Sequence, residues 1–573
     1  MEKIISLIER EVKKAVVEAG LDESYGKVSI SNRPDLCEYQ CNGCMAAAKA
    51  AHKNPIEIAS EVADKLKNNS FFESVEAVKP GFINIKLSKG LLSSYIREIS
   101  NKHHYGIEPT KSQKIIVDYG GANVAKPLHI GHLRSAIIGE SIKRMGTYMG
   151  NEMIGDVHLG DWGLQMGLII EELKTRGRID DDFTISELEE IYPAASAKAK
   201  EDEAFKDAAH ENTRLLQEGY EPYIAVWKHI MEISKADLKK NYDNLDVHFE
   251  LWKGESDVQY IIPGMVDDLL KRGIAYESDG AAVVDVAQPD DPKEIPPCLI
   301  RKSDGAALYA TSDLATLVER EREYHPDGYI YISDNRQDMH YTQFFRVARK
   351  AGIVPEEHFL VHIGFGTMNG KDGKPFKTRA GGVMRLEHLI ADVNEKVRDR
   401  ILDNRDVTPE EAEETAKIVG LAAIKYGDLS NQATKDYVFD IDRFTSFEGN
   451  TGPYILYTIV RIKSILSKYA QEGGTYSYED IAESTSDGEK RLELALVRFN
   501  DVMENAWKDL APHRICQYIY DVSEAFNSFY HETKILTEPD ESRRKSYLAK
   551  IDITKGILTD CIGVLGIQAP DRM

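Results

Sequence analysis

Apolar positions along the chain follow two alternating periods, and this alternation predicts an α/β protein. Residues 114–117 form a short run, Lys-Ile-Ile-Val, that is typical of a buried strand. The apolar residues after it recur at helical spacing and predict a helix that starts near His132: Leu133, Ile137, Ile138, Ile142 and Met145. From Ser112 onward, strands and helices keep alternating, which favours a doubly wound parallel sheet.

The same patterns predict the rest of this sheet and a large insertion in it. Three further strands are predicted at residues 153–158, 328–334 and 358–366. Residues from about 165 to 255 instead carry strongly helical and highly charged sequence. We therefore predict a helical insertion between the two halves of the sheet.

The segments on either side of this region follow other patterns. The N-terminal residues mix helical and strand-like runs, and a polar linker follows them at 101–112. The C-terminal residues carry long amphipathic helices whose apolar residues fall on single faces. The prediction is an N-terminal α+β domain at 1–110, the sheet domain at 111–400, connecting helices at 401–445 and an all-α bundle at 446–573.

Composition and charge narrow the class of protein. The chain has 573 residues, of which 42% are hydrophobic and 29% are charged, as in soluble globular proteins. No apolar run approaches the ~20 residues of a membrane span, and the N-terminal helix lacks a cleavage pattern, so we expect a cytoplasmic protein. The net charge is −23, so any contact with nucleic acid has to use local basic patches.

Three of the six cysteines raise an alternative. Cys37, Cys41 and Cys44 have the C-x3-C-x2-C spacing with which radical S-adenosylmethionine enzymes hold an iron–sulfur cluster. The sequence after them runs into an alanine-rich helix, without the glycine-rich strand that such enzymes need. No second pair of close cysteines or histidines completes a four-ligand zinc site. We therefore expect neither an iron–sulfur cluster nor zinc.

The loop between the first strand and its helix carries the most informative chemistry. His129 and His132 lie three residues apart where the helix starts, so both imidazoles can face a phosphate. Backbone N–H groups and the positive end of the helix dipole also suit an anion there. The tetrapeptide His-Ile-Gly-His alone would fit a helix cap equally well. Four residues punctuate the loop: Gly120, Gly121, Pro127 and Gly131.

The longer motif at residues 123–135, Asn-x-Ala-Lys-Pro-x-His-x-Gly-His-Leu-Arg-Ser, is more specific. It resembles the adenylate-binding signature of class I aminoacyl-tRNA synthetases, and in this extended form that of the arginyl-tRNA synthetases. The resemblance runs from near residue 30 to the C-terminal end. It implies a Rossmann-like catalytic domain that binds ATP through Pro127, His129, Gly131 and His132.

The resemblance also implies an activity and its partners. The enzyme would activate L-arginine with ATP to arginyl-adenylate and transfer the arginyl group to the 3′-terminal ribose of tRNA-Arg. ATP would be used as a substrate with Mg²⁺, and tRNA would be needed even for activation. The N-terminal domain would contact the outer corner of the tRNA, and the C-terminal bundle would bind the anticodon. We expect a monomer without a membrane partner.

A basic loop follows the last predicted strand of the sheet. It resembles the second class I signature in degenerate form, with Lys-Thr-Arg at 377–379 where that signature usually has Lys-Met-Ser-Lys-Ser. A mobile basic loop suits transient binding of pyrophosphate. The basic residues lie among glycines: Lys371, Lys374, Lys377 and Arg379.

Several residues are therefore expected to act on the phosphates of ATP. Lys126 precedes the first histidine and is a plausible substitute for the missing signature lysine. Gly364 and Gly366 end the last strand and are expected to border the nucleotide. The expected catalytic groups are His129, His132, Lys126, Lys377 and Arg379, and Lys377 is also expected to contact ATP.

A second group of residues is expected to bind arginine. A guanidinium requires acidic partners, and Asp118 and Asp313 are the candidates. Tyr309 is expected to pack on the guanidinium or to hydrogen-bond with it. By resemblance, Asn123 and Gln337 would hold the α-carboxylate and α-amino ends, with His129 also in contact. Many arginyl enzymes have Glu in place of Asp118, so that contact would be longer or bridged by water.

Two other functions compete with this one. Another class I synthetase, such as the cysteinyl enzyme, would use a zinc site that this sequence lacks. A non-catalytic paralogue could bind tRNA or act as a scaffold, but the intact histidines, Lys126 and paired aspartates argue against a loss of catalysis.

Overall fold

The computed structural model describes residues 1–109, 111–126, 128–303, 305–374, 384–404 and 407–573. The chain divides into two compact units. The first combines Met1–Pro109, Phe447–Gly563 and Gln568–Met573, and the second combines Thr110–Ser446 with Val564–Ile567. Among the described residues, no helix is both long enough and apolar enough to cross a bilayer.

The N-terminal segment is an α+β arrangement around a four-stranded antiparallel sheet with the strand order β1-β2-β4-β3. Pro80 and Gly81 turn the chain between the strands Phe72–Val78 and Phe82–Leu87, which form a hairpin. The helices are α1 (Ile4–Glu18), α2 (Gly43–Ala51), α3 (Pro55–Leu66) and α4 (Lys89–Ser100), and the strands are β1 (Val28–Ile30), β2 (Tyr39–Cys41), β3 (Phe72–Val78) and β4 (Phe82–Leu87).

The central segment contains the predicted parallel sheet and its helical insertion. Its strands are β5 (Lys114–Asp118), β6 (Glu152–Asp156), β7 (Tyr276–Ser278), β8 (Ala281–Val284), β9 (Cys298–Arg301), β10 (Gly328–Asp334), β11 (Phe359–Phe365), β12 (Met368–Asn369) and β13 (Tyr437–Val438). Its helices are α5 (Ile130–Tyr148), α6 (Leu164–Thr175), α7 (Ile185–Glu201), α8 (Glu203–Gln217), α9 (Glu221–Asn244), α10 (Glu255–Val258), α11 (Ile262–Lys271), α12 (Tyr309–Glu323), α13 (Asp338–Lys350), α14 (Leu386–Asn404), α15 (Pro409–Leu429) and α16 (Ile441–Phe444).

The parallel sheet has the strand order β11-β10-β5-β6. The apolar residues of its inner strand β5 are fully buried, as expected for a strand covered on both faces: Ile115, Ile116 and Val117. The four strands point the same way, so their carboxyl ends form one edge, where ligands bind in doubly wound folds. This confirms the fold class predicted from the alternating pattern.

The C-terminal segment is helical, and it shares a compact unit with the N-terminal segment. The ammonium of Lys490 ion-pairs with Glu38 at 2.8 Å and with Glu73 at 2.6 Å, which joins the two segments. The helices are α17 (Gly452–Gln471), α18 (Asp487–Leu496), α19 (Phe499–Lys508), α20 (Pro512–Glu532) and α21 (Glu541–Val564). Short 3-10 helices occur at Glu23–Gly26, His103–Gly106, Asn335–Gln337 and Tyr478–Asp480.

Four residues near the end of the chain, Val564–Ile567, belong to the second unit. The buried ammonium of Lys425, on α15, donates a hydrogen bond of 2.6 Å to the carbonyl oxygen of Gly566. Burial lowers the pKa of Lys425 to about 7.

Candidate active site

The loop between β5 and α5 fixes the tautomers of both predicted histidines. His129 is the N-cap of α5, and its Nδ1 accepts a 3.0 Å hydrogen bond from the backbone N–H of Gly131. The Nδ1 of His132 accepts a 3.2 Å hydrogen bond from the backbone N–H of His129. Since a neutral imidazole has one donor and one acceptor, both Nε2 atoms carry the proton and can donate to a phosphate.

The two rings lie together in a partly dry environment. Their centroids are 4.0 Å apart. Burial lowers the pKa of His132 to about 3, and burial also lowers the pKa of His129. Both imidazoles are therefore neutral at pH 7, so they act as hydrogen-bond donors rather than as cations.

Lys126 lies close to these rings. Its positive charge contributes to lowering the pKa of both histidines. Its ammonium lies 5.0 Å from the ring centroid of Tyr192, on the insertion helix α7, which is a cation–π contact. Lys126 thus joins the histidines as a positively charged group.

The predicted basic loop is only partly described. Lys377 and Arg379 of this loop lie outside the described residues. Pro127, in the loop between β5 and α5, also lies outside them. Lys371 is described, and its ammonium ion-pairs with Asp440 at 3.1 Å. Lys371 therefore has an acidic partner in this state.

Gly364 and Gly366 lie where the backbone packs closely at the end of β11. A Cβ on Gly364 would lie 2.3 Å from Oδ1 of Asp338, and a Cβ on Gly366 would lie 2.5 Å from the carbonyl carbon of Lys435. The buried Arg134, on α5, donates a hydrogen bond to the carbonyl oxygen of Gly366. These glycines are thus required by packing, and their contact with ATP stays a prediction.

Asp118 already has a charged partner that the sequence analysis did not identify. The buried guanidinium of Arg320 contacts Oδ2 of Asp118 at 2.6 Å and Oδ2 of Asp156 at 2.5 Å. It also donates a 3.1 Å hydrogen bond to the hydroxyl of Tyr331. Arg320 lies 202 residues after Asp118, so no local pattern could have revealed this pair.

His158 lies beside this group with buried nitrogens that have no protein partner. One ligand atom each of His158, Asp118 and Asp156 lie within 4.8 Å of one another, a spacing that could hold a metal ion. Neither ring nitrogen of His158 has a hydrogen-bond partner in the structure, and Oδ1 of Asp156 has none either. Because Arg320 already ion-pairs with both carboxylates, the unpartnered groups fit a hydrogen-bonding ligand better than a metal ion.

Asp313 and Tyr309 lie on the first turns of α12, as predicted. Oδ2 of Asp313 accepts a 2.7 Å hydrogen bond from Nε2 of His340, and Tyr309 is 74% exposed. Burial raises the pKa of the partly buried Tyr341, and the charges of Asp118 and Asp313 add to this rise. Both predicted aspartates therefore act electrostatically on the same ring.

Glu255 is a third acidic group at this site, and sequence analysis missed it. It begins α10, and burial raises its pKa to about 7, with further contributions from Asp161 and Asp313. Its charge also contributes to the raised pKa of Tyr309. Glu255 thus interacts electrostatically with both Asp313 and Tyr309.

Asn123 and Gln337 lie at the carboxyl edge of the sheet. Oδ1 of Asn123 lies 2.3 Å from the position of a Cβ on Gly160, so a side chain there would displace it. Gln337 ends the 3-10 helix after β10 and is exposed. Their contacts with substrate stay predictions.

The N-terminal cysteines belong to the first compact unit. Cys37, Cys41 and Cys44 are buried free thiols. The Sγ of Cys37 donates to Oγ of Ser31, and the Sγ of Cys41 donates to the carbonyl oxygen of Tyr25. Within the described part of the chain, the single group of three or more potential metal ligands is the one containing Asp118, so the three thiols do not converge.

Comparisons with known proteins agree along the whole chain. Residues 96–441 match the family model of the class I (R) tRNA synthetase catalytic domain. Residues 455–573 match the DALR anticodon binding domain, and residues 2–87 match the arginyl-tRNA synthetase N-terminal domain.

Individual relatives and solved structures extend this agreement. The arginine–tRNA ligases of Agathobacter rectalis and Alkaliphilus oremlandii are 58% and 51% identical to this chain, each over all of both chains. The crystal structure of Plasmodium falciparum arginyl-tRNA synthetase is similar with a TM-score of 0.84 and 26% identity over both full chains. The Thermus thermophilus arginyl-tRNA synthetase shares the fold with a TM-score of 0.80 and 23% identity, also over both full chains.

Proposed function

The chain belongs to the arginyl-tRNA synthetases of class I, and from this premise we propose how its side chains carry out the reaction. It is an arginine–tRNA ligase, which activates L-arginine with ATP and transfers the arginyl group to the 3′-terminal ribose of tRNA-Arg. ATP is a substrate. The roles of individual residues, the use of Mg²⁺ and the monomeric state are proposals.

The first step needs positioned charges more than covalent help from the protein. The carboxylate of arginine attacks the α-phosphorus of ATP and expels pyrophosphate, while negative charge is distributed over the phosphate oxygens. Groups that donate to these oxygens in a dry site lower the barrier. We assign this role to the Nε2–H groups of His129 and His132.

A single observation carries this assignment. Both Nδ1 atoms accept backbone N–H groups, so both rings are held in the tautomer that donates from Nε2. The low pKa of His132 keeps its ring neutral, so it needs no protonation to act.

The His132→Ala variant tests this assignment. One such donor is typically worth ~3 kcal/mol, so ATP–pyrophosphate exchange should fall by about two to three orders of magnitude. The exposed His210→Ala on α8 is the matched control and should retain full exchange. Near-normal exchange in His132→Ala would contradict the proposed role.

The leaving pyrophosphate needs positive charge. We propose that Lys126 supplies it together with Lys377, Arg379 and Mg²⁺. Lys126 is supported by its electrostatic influence on both histidines. The Lys377 and Arg379 roles rest on the resemblance of their loop to the second class I signature.

We propose that the side chain of arginine enters the acidic pocket near α12. Asp313 and Glu255 would attract its guanidinium, and Tyr309 would pack against it. Asp118 would contribute its carboxylate, which also ion-pairs with Arg320, and one of the two unpartnered ring nitrogens of His158 would accept from the guanidinium. The α-carboxylate and α-amino ends would meet Asn123 and Gln337.

Recognition of tRNA is assigned to the outer segments. We propose that the N-terminal segment contacts the outer corner of the tRNA and that the C-terminal helices bind the anticodon. We also propose that activation requires bound tRNA, which pyrophosphate exchange measured with and without tRNA-Arg would test. Since aminoacylation serves protein synthesis, the cytoplasm is the proposed compartment.

A further inference from the structure

The backbone next to His129 pairs with a short segment that begins at Met384. The N–H of Ile130 donates to the carbonyl oxygen of Met384 at 3.1 Å, and the N–H of Leu386 donates to that of Leu128, also at 3.1 Å. This antiparallel bridge makes His129 and Arg385 directly opposite partners. Their own N–H groups do not bond each other, so they form the pair type whose side chains approach most closely.

The side chain of Arg385 therefore lies on the same face of this bridge as the imidazole of His129. Arg385 retains 41% of its side-chain exposure. Its guanidinium contacts the carboxylate of Glu189 at 2.7 Å, and Glu189 is only 12% exposed. The half-exposed guanidinium of Arg385 thus lies beside His129, which is proposed to donate a hydrogen bond to phosphate. The carboxylate of Glu189 holds the guanidinium in this position.

Helix α7 contacts both Arg385 and Lys126. Glu189 contacts Arg385, and three residues later Tyr192 contacts Lys126 at 5.0 Å. Residues three apart lie on one face of a helix, so a single face of α7 covers both positive groups. In the proposed reaction Lys126 meets phosphate, which suggests the same task for its neighbour.

We propose that Arg385 is a further catalytic residue, which exchanges the carboxylate of Glu189 for the β- and γ-phosphates of ATP. A guanidinium suits this task because its planar fork binds two phosphate oxygens at once. Arg385 keeps an anionic partner during this exchange, because the phosphates take the place of the Glu189 carboxylate. This inference rests on the proposed role of the loop that contains His129 and His132.

The test compares ligands that do and do not carry the leaving phosphates. In Arg385→Gln, the KM values for ATP and for pyrophosphate should rise about 10- to 100-fold, because a charge-assisted bidentate contact is lost. The Kd for a non-hydrolysable sulfamoyl analogue of arginyl-adenylate should change less than about twofold, because this analogue lacks β- and γ-phosphates. Arg385→Lys should recover part of the loss, because it keeps the charge but not the fork.

Two further variants separate a phosphate contact from a structural ion pair. Glu189→Gln should lower the KM for ATP, because the carboxylate no longer competes for Arg385. Arg398→Gln is the matched control, since it removes an arginine from surface ion pairs on the adjoining helix α14 and should change neither constant. A Glu189→Gln variant that weakens ATP as much as Arg385→Gln does would overturn the proposal.

Two outcomes with Arg385→Gln would also overturn it: equal weakening of ATP and of the adenylate analogue, or unchanged constants for ATP and pyrophosphate. Failure of the Arg385 proposal can be distinguished from failure of the proposed function. If His132→Ala loses exchange while Arg385→Gln keeps normal constants, only the role of Arg385 is lost.

Discussion

The three carboxyl groups of the proposed arginine pocket have different neighbours. Asp118 shares its charge with Arg320, and Asp313 contacts His340. Glu255 has a buried position beside Asp161 and Asp313, which raises its pKa to about 7. The negative charge that can bind a guanidinium therefore depends on pH near neutrality.

This predicts that arginine binds more weakly below pH 7. Glu255 is protonated there, since its pKa is raised above its usual 4.5, and it becomes an anion as pH rises through about 7. The affinity for arginine should fall as pH decreases from 8 to 6, by up to about tenfold per pH unit. Isothermal titration calorimetry across this range would measure it.

The variant Glu255→Gln tests whether the ionisation of Glu255 causes this pH dependence. It should bind arginine weakly at every pH and flatten the dependence between pH 6 and 8. His132 stays neutral in this range, because burial lowers its pKa to about 3, and burial also lowers the pKa of His129. A pH dependence that persists unchanged in Glu255→Gln would exclude Glu255 as its source.

Asp313→Asn should distinguish the arginine pocket from the ATP site. The KM for arginine should rise at least about tenfold, because a charge-assisted hydrogen bond to the guanidinium contributes ~1.5–3 kcal/mol. The KM for ATP should change little. Pyrophosphate-exchange kinetics with each substrate varied in turn would measure both, and equal increases would count against the assignment.

Sequence alone placed the candidate groups that lie close together along the chain. His129 and His132 lie within one helical turn, and Tyr309 and Asp313 lie within another, so their spacing revealed shared faces. The partners of these groups could not be predicted, because they come from distant elements. Arg320 reaches Asp118 across 202 residues, and Glu189 reaches Arg385 across 196.

At the scale of elements, a buried ion pair connects helix α5 with helix α15. Arg134, on α5, contacts Asp428, on α15, at 3.0 Å, and both side chains are almost fully buried. Arg134 also binds the carbonyl oxygens of Gly366 and Lys435. One guanidinium thus fixes α5 against the turn that follows β11.

Arg134→Met should therefore be strongly destabilising. It leaves the carboxylate of Asp428 buried without its cation, which typically costs about 3–5 kcal/mol. Urea unfolding followed by circular dichroism would measure the loss. The double variant Arg134→Met with Asp428→Leu should recover much of it, because it removes the unpaired charge, and no recovery would mean that the pair is not the cause.

The elements with strong periodicity were predicted well, and the weak ones were not. Strand β5 and helix α5 follow clear apolar periods, although α5 begins at Ile130 rather than near His132, because His129 caps it. The three-stranded sheet β7–β9 was missed, since the residues of β7 are all exposed and carry no alternation. Strand β2, Tyr39–Cys41, was missed as well.

At the scale of the whole molecule, the first and last segments of the chain share one compact unit. Lys490, Glu38 and Glu73 link them, and Lys490 and Glu38 are only 12% and 13% exposed. The sequence predicted these segments as separate domains, and their boundaries stay predictions. Their association could not be predicted, because nothing in either segment alone indicates the other.

Lys490→Met should destabilise this unit by about 2 kcal/mol, between the values typical of surface and of buried ion pairs. The partly buried Glu38 would lose its cation. Urea unfolding would measure the change. Lys545→Met, which removes a pair within α21, is the control and should cost less than about 0.5 kcal/mol. Equal effects of the two variants would argue against a special role for Lys490.

The bond between Lys425 and Gly566 has a practical consequence for anyone who wishes to express the catalytic half by itself. A fragment cut after residue 446 would keep the buried Lys425 and its 3.3 Å hydrogen bond to the carbonyl oxygen of Asp246, but it would lose the shorter bond to Gly566. The half that performs the chemistry is thus not encoded by one uninterrupted stretch of the gene, and a useful truncation would have to graft the Val564–Ile567 tetrapeptide back on.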